Sequence, residues 1–161
     1  RAAARRFRDT LGCFASGITV ITTMSGDEPV GMTCQSFSSV SLDPPLITFI
    51  RRAALALAGD PALGTVLRQR AGSRPGARLR QMATKGIDKF AGISWEPAEV
   101  TGSPVIQGTL AHLDCTIHAV YEGGDHFIVV GRVEHLEAHP EDATVTEPLL
   151  FFRGRYRTTD S

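Results

Sequence analysis

The 161-residue chain lacks the features that mark several classes of protein. It has three cysteines and one tryptophan, and its 17 basic and 17 acidic side chains leave no net charge. Without a basic excess, nothing in the overall charge attracts nucleic acid or an anionic membrane. No apolar run approaches the roughly 20 residues that span a bilayer. No signal peptide is visible, so we expect a cytoplasmic protein, although the chain begins at Arg1 and not at a methionine.

The cysteines and histidines are not spaced as metal ligands usually are. Cys13, Cys34 and Cys115 lie far apart and form no CxxC pair, so we expect free, mostly buried thiols in a reducing compartment. The five histidines show no HExxH motif. Cys115 and His118 are three residues apart on a predicted strand and therefore point to opposite faces. On this spacing we expect no metal site.

Motifs of nucleophilic catalysis and of nucleotide binding are missing as well. There is no GxSxG elbow, no P-loop and no GxGxxG fingerprint. The sequence therefore does not favour an enzyme with a serine nucleophile, a phosphate-binding loop or a Rossmann dinucleotide site.

The remaining pattern is that of a β-rich globular domain. Hydrophobic residues make up 42% and charged residues 21% of the chain, which is ordinary for one folded domain. Runs of β-branched and aromatic residues between turn residues predict strands at 18–24, 30–37, 46–50, 109–121, 126–138 and 149–157. An amphipathic helix is predicted at residues 2–15, ending before Gly17. We therefore predict a mainly β fold, a β-barrel with peripheral helices, in one domain spanning residues 1–161.

Two segments offer side chains that could bind a ligand. Residues 31–41 (GMTCQSFSSVS) are small and polar where a structural strand would be apolar, and their hydroxyls and amide could contact a polar heterocycle or a phosphate. An exposed edge strand and turn explains the same residues equally well. The second segment is the predicted hairpin tip at 123–126 (GGDH), where His126 is a candidate, although a histidine in such a turn is more often a surface residue.

These segments also carry a resemblance to a known family. The chain resembles the short-chain flavin reductases, the small components of two-component flavin-dependent monooxygenases, and most of all those paired with aromatic hydroxylases, including one acting in steroid-ring degradation. The resemblance covers about four-fifths of the chain and runs through FRDTLGCFASGITVITT (7–23), PVGMTCQSFSSVSLDPPL (29–46), DKFAGISW (88–95), GSPVIQGTLAHLDC (102–115), GGDHFIVVGRVE (123–134) and PLLFFRGRY (148–156).

The resemblance implies an FMN-binding split barrel that works as a homodimer with flavin near the subunit interface. It implies NADH-dependent hydride transfer to FMN or FAD, and release of the reduced flavin to a partner monooxygenase. In such a reaction the cofactors carry the chemistry and the protein orients them. Two alternatives use the same barrel: a non-catalytic flavin-binding protein, and a pyridoxamine-phosphate-oxidase-like enzyme that keeps its flavin tightly bound.

Motif matches imply a role for each candidate site residue. The residues expected to line the flavin are Thr33, Cys34, Gln35, Ser36, Ser39, Val40 and Ser41. Those expected to form a loop over it are Lys89, Phe90, Ala91 and Gly92. His126 is expected on the nicotinamide side, in a positioning role and as the catalytic candidate, and Arg153 and Tyr156 are expected to hold the pyridine nucleotide.

Residues 51–80 depart from this family. Two thirds of them are Ala, Gly, Pro or Arg, whereas the family continues with residues that reach the flavin phosphate, a short helix and a strand resembling RFCVNVL. The segment could be a basic phosphate-binding loop or a solvated insertion. A third interpretation is a frame-shifted translation, because GGC ACG GTT CTG CGT CAA CGT GCT GGC encodes residues 64–72 (GTVLRQRAG) and reads ARFCVNVL one base further on.

Overall fold

The computed structural model describes residues 2–52, 63–67, 77–138 and 148–157. Within these ranges the chain forms two helices and twelve strands. In chain order they are α1 (Ala2–Leu11), β1 (Ser16–Gly17), β2 (Thr19–Ser25), β3 (Glu28–Cys34), β4 (Ser38–Leu42), β5 (Pro45–Arg52), β6 (Leu63–Leu67), α2 (Ala77–Ala83), β7 (Trp95–Pro97), β8 (Pro104–Ile106), β9 (Thr109–Gly123), β10 (His126–Ala138), β11 (Leu150–Phe152) and β12 (Arg155–Arg157).

Seven strands form the main sheet, in the order β3-β2-β6-β9-β10-β5-β4. All of its pairings are antiparallel, and its longest is the β9–β10 hairpin. One hydrophobic cluster takes Met32 from β3, Cys115 from β9 and Phe49 from β5. Because strands from both halves of the sheet share this core, the sheet curls around it, as a barrel does. The predicted β-barrel class is confirmed.

A second hydrophobic cluster covers the opposite face of β2. Residues alternate sides along a strand, so Val20 belongs to this cluster while Ile21 faces the barrel core. Met82 of α2 and Phe90 complete the packing on the outside. Helix α2 therefore attaches to the barrel through Met82, whose side chain is fully excluded from solvent. No helix in the described parts of the chain is long and apolar enough to cross a membrane.

Two predicted elements end differently from the expectation. The first helix stops at Leu11 instead of residue 15, since Gly12 and Cys13 turn the backbone. The predicted last strand, residues 149–157, is two short strands. Arg153 and Gly154 have φ angles of 48° and 75°, which bend the chain into a tight hairpin.

The anomalous segment 51–80 lies partly outside the described residues, which exclude 53–62 and 68–76. Its described backbone contributes the end of β5, the strand β6 and the start of α2. β6 pairs with β2 on one side and β9 on the other, so it is an interior strand of the main sheet. A strand therefore lies where the frame-shift interpretation requires one.

Candidate functional site

A cavity of about 1000 Å³ opens beside the end of α1. Its wall is built from five separate parts of the chain, which meet because β5 and β10 are paired and the β11–β12 turn packs against the residues after α1. Four of the predicted site residues line it, namely Gln35, Ser36, His126 and Arg153. The fold thus brings together residues that are more than 110 positions apart in the sequence.

Ser36, two residues after the end of β3, is held through its side-chain oxygen. The backbone amide of Ile50 donates a hydrogen bond to Ser36 Oγ at 2.8 Å, and Cys34 Sγ lies 3.1 Å from the same oxygen. Cys34 itself is buried in the barrel core. Gln35 is exposed at the cavity. The amide of Gln35 and the oriented hydroxyl of Ser36 are therefore the polar groups that this strand end offers to a ligand.

His126 stands at the start of β10, directly after the turn at Gly124 and Asp125. Gly124 adopts a φ of 77°, a conformation that glycine takes at little cost, so the tight turn aims His126 at the cavity. Asp125 Oδ1 lies 2.7 Å from His126 Nδ1. The hydrogen bond from His126, followed by its charge, holds the pKa of Asp125 below its ordinary value of 3.8.

Arg153 lies in the β11–β12 turn on the other side of the cavity. Its backbone amide donates to the carbonyl of Gly12 at 2.9 Å, which ties the turn to the end of α1. Its guanidinium lies 5.2 Å from the ring centre of Phe152. The cavity therefore carries the guanidinium of Arg153 at one wall and the imidazole of His126 at another, while Arg8 and Asp9 of α1 add one charge of each sign. The arginines can pair with an anionic group of a ligand.

Four other predicted flavin contacts lie on β3 and β4 and do not line this cavity. Thr33 is on β3, paired with Val20. Ser39, Val40 and Ser41 are on β4, the edge strand of the main sheet, with a bulge at Val40. The segment 31–41 thus ends in an exposed edge strand and also supplies Gln35 and Ser36 to the cavity, and its role in ligand binding stays a prediction.

The loop after α2 lines a second cavity, of about 780 Å³, next to the start of β3. Lys89 Nζ donates to the carbonyl of Gly31 at 2.8 Å, and burial, with a contribution from Lys85, lowers the pKa of Lys89. Gln81 holds the loop by donating to the carbonyls of Lys89 and Ala91. Phe90 is buried in the second hydrophobic cluster, and Gly92 has a positive φ.

The two cavities lie along one strand but are separate. Gly31, in the second, and Gln35, beside the first, are four residues apart, or about 13 Å along an extended strand. Tyr156 lines neither cavity. It packs against the second hydrophobic cluster, stacked edge-on with Phe151 and covered by Arg80.

The apolar wall of the first cavity was not predicted. Leu11, Phe14, Ile50 and Phe151 line it, together with the exposed thiol of Cys13. Residues 11–15 read as a continuing helix, so their turn toward the β11–β12 hairpin was missed. The available signal was Gly12, the first residue after the last helical position, where glycine often ends a helix.

Comparisons with known proteins agree with this geometry. The sequence model of the flavin reductase like domain matches residues 11–59 and 65–160. The chain belongs to this family. The match leaves out residues 60–64, inside the segment that departs from the family pattern. The predicted family, split-barrel fold and oxidoreductase class are confirmed.

Named relatives and solved structures cover nearly the whole chain. It is 46% identical over 156 residues to the reductase subunit HsaB of a flavin-dependent monooxygenase from Mycobacterium tuberculosis, covering 94% of this chain and 80% of that protein. The structure of nitrilotriacetate monooxygenase component B from Mycobacterium thermoresistibile matches with a TM-score of 0.86 and 40% identity, covering 98% of this chain and 87% of that one. The Streptomyces globisporus NADH:FAD oxidoreductase, solved with NAD and FAD fragments, matches with a TM-score of 0.84 and 36% identity, covering 97% and 92%.

Proposed function

We propose that this protein is an NADH-dependent flavin reductase that reduces FMN or FAD and releases the reduced flavin to a separate monooxygenase. The observation that carries the proposal is the cavity that unites Gln35, Ser36, His126 and Arg153. The family membership and the names of the relatives support the same activity. The flavin, when bound, supplies the hydride acceptor, and NADH supplies the hydride.

The residues of the cavity fit a flavin. Its volume of about 1000 Å³ is at the upper end for a small-molecule site, large enough for two ring systems side by side. Phe14, Ile50 and Phe151 offer an apolar surface for a flat ring, and Gln35 and Ser36 offer hydrogen bonds at its edge. We assign Thr33, Cys34, Ser39, Val40 and Ser41 to supporting that wall.

Two ionisable residues of the cavity, Arg153 and His126, are assigned to the nucleotide. We assign Arg153 to pairing with a phosphate of NADH, and His126 to positioning the nicotinamide amide. Asp125 orients the imidazole through its 2.7 Å contact with Nδ1, leaving Nε2 for the ligand. The loop of Lys89, Phe90, Ala91 and Gly92 is assigned to the far end of the flavin, and Tyr156 to supporting the Arg153 hairpin.

A second copy of the chain is proposed to complete the site. No residue of α1 is buried in the single chain, yet a helix of ten residues is marginal in water without a packed face. Phe7 on α1 is 65% exposed, and Phe14, three residues after the end of α1, is 72% exposed. Because Leu11 and Phe14 also line the cavity, a partner that covers them would close the flavin site at the subunit interface.

The monooxygenase partner and the compartment are parts of the same proposal. Reduced flavin must leave the cavity to be used by a separate monooxygenase. The three cysteines are free, and two of them are buried, as in proteins of a reducing compartment. We therefore place the activity in the cytoplasm, where NADH is available.

The test is anaerobic oxidation of NADH, followed at its own absorbance band, with FMN or FAD added and with neither. We expect NADH consumption that requires flavin, slower consumption with NADPH, and reduced flavin in the filtrate after anaerobic ultrafiltration. Flavin binding without NADH consumption would indicate a non-catalytic binding protein. Reduced flavin retained with the protein would favour an oxidase-like enzyme instead.

A further inference from the structure

A cluster of titratable side chains lies at the end of the β9–β10 hairpin away from His126. Antiparallel pairing sets His112 opposite Glu137 and Asp114 opposite His135. Residues two apart on a strand share a face, so the four side chains emerge on one face of the sheet. None of them belongs to either cavity described above.

Three of these side chains are close enough to share one ion. The ligand atoms of His112, His135 and Glu137 all lie within 4.8 Å of one another. Nε2 of His112 is 4.0 Å from Oε2 of Glu137, and the two imidazole rings stack with centres 6.0 Å apart. Ligands around a tetrahedral zinc ion, at about 2.0–2.2 Å from the metal, lie roughly 3.4 Å apart, so small side-chain movements suffice.

The cluster is built into the fold and is more than a group of surface acids. His112 is only 8% exposed. Asp114 is fully buried and accepts hydrogen bonds from the backbone amides of Val100 at 2.8 Å and Thr101 at 3.1 Å. The loop held in this way carries Glu99, whose Oε2 lies 3.6 Å from Nδ1 of His135.

We propose that His112, His135 and Glu137 bind a divalent transition-metal ion, of which Zn²⁺ is the best match. Two imidazoles and one carboxylate are ligands that zinc accepts in proteins, and a water molecule can fill the fourth position. Glu99 Oε2 lies 3.6 Å from Nδ1 of His135, just beyond hydrogen-bond distance. A small movement on metal binding lets it accept the Nδ1 proton and leaves Nε2 for the metal, as carboxylates commonly do for zinc-binding histidines.

The site is structural and independent of flavin reduction. His135 lies nine positions after His126 on β10, which is about 30 Å along the strand. The metal therefore clamps β9 to β10 and to the loop of Glu99 without contacting the flavin cavity. Spacing along the chain, on which the expectation of no metal site rests, does not reveal ligands that come from two paired strands.

The proposal is tested by titrating ZnCl₂ into tag-free protein that has been treated with EDTA and then freed of chelator, using isothermal titration calorimetry. We expect one Zn²⁺ per chain and a higher thermal midpoint with zinc than without it, because a ligand that binds only the folded state stabilises it. His135→Ala and Glu137→Gln should weaken zinc binding at least about tenfold, and Glu99→Gln by about 10- to 100-fold. His118→Ala, which removes an exposed histidine of β9 outside the cluster, should bind as the unmodified protein does.

These variants avoid His112, whose burial makes its replacement a risk to folding. A zinc anomalous-diffraction peak between His112, His135 and Glu137 would be the direct confirmation. Equal zinc affinity in the unmodified protein and His135→Ala, or no binding up to about millimolar zinc, would overturn the proposal. NADH oxidation should be the same in Glu137→Gln as in the unmodified protein, so a failure of the proposed function and a failure of this site are distinguishable.

Discussion

At the scale of single residues, His126 is the side chain on which the proposed reaction depends most. It reaches the cavity from a hairpin tip, and Asp125 fixes one of its nitrogens. Loss of one hydrogen bond to a ligand costs about 1–1.5 kcal/mol, so His126→Ala should lower kcat/KM for NADH by about tenfold. Steady-state kinetics with varied NADH measure this change. The exposed His118 is the control, and an unchanged KM and rate in His126→Ala would remove His126 from the site.

The contact between His126 and Asp125 also predicts a change in the pKa of Asp125 when His126 is replaced. Its pKa lies below 3.8 in the folded protein because His126 stabilises the charged carboxylate. A carboxyl whose pKa is lower in the folded than in the unfolded protein stabilises the folded protein at pH values above its unfolded-state pKa. That stabilisation is lost as the pH falls through the folded-state pKa. In His126→Ala the pKa of Asp125 should therefore rise toward 3.8, which carboxyl-carbon NMR titration can follow.

The three thiols should differ sharply in reactivity. Burial, then the charges of Asp114 and Glu134, raise the pKa of Cys115 to about 12, and Cys34 is buried in the barrel core. Only Cys13 is exposed. A thiol-disulfide reagent such as DTNB should therefore modify one thiol in the folded protein and three after denaturation. Cys13→Ala should abolish the first reaction, and added FMN should slow it, since Cys13 lines the cavity. Rapid modification of a second thiol in folded Cys13→Ala would contradict this assignment.

At the scale of elements, Asp114 is the link between β9 and the loop after β7. Its buried carboxylate accepts hydrogen bonds from Val100, Thr101 and the hydroxyl of Thr101. Asp114→Ala would leave buried donors unpaired, and we expect a loss of about 3 kcal/mol in the free energy of unfolding. Urea denaturation in the presence of EDTA measures it without any metal effect. Asp27→Asn, in an exposed turn, should change stability by less than about 0.5 kcal/mol, and a similar loss in both variants would refute the role of Asp114.

The frame-shift interpretation can be tested at the strand β6. The backbone of β6 pairs on both sides as an interior strand of the main sheet. The frame-shift interpretation predicts that mass spectrometry of protein expressed from the native gene will find ARFCVNVL where residues 64–72 are printed as GTVLRQRAG. The intact mass would then differ from 17.3 kDa, because the replaced residues have different masses. Peptides with the printed residues would exclude the interpretation, and the peptide of β9 serves as the internal reference.

The sequence predicts elements well where one local pattern decides them. The β9–β10 hairpin follows from two β-branched runs and a glycine turn, and the structure places it within two residues of the expectation. The β11–β12 turn was missed because Arg153 adopts a positive φ that non-glycine residues rarely take. The apolar wall of the cavity and the cross-strand cluster around His112 were missed for another reason. Both join residues distant in sequence, and periodicity carries no information about such contacts.

At the scale of the whole molecule, the exposed helix α1 predicts how the chain assembles. A helix with no buried residue and with Phe7 65% exposed needs a partner surface to be stable. We therefore expect light scattering after size exclusion to give twice the chain mass of 17.3 kDa.

The variant Phe7→Glu tests whether α1 forms that interface. Placing a charge in the apolar contact should shift the protein to monomers and weaken flavin binding, because the partner no longer covers the cavity beside Leu11 and Phe14. Leu136→Glu is the matched control. It also removes an exposed apolar side chain, 64% accessible, but at the far end of β10, and it should leave both the dimer and flavin binding intact. If Phe7→Glu remains dimeric and binds flavin normally, α1 is not the interface, and the cavity must be closed by another part of the assembly.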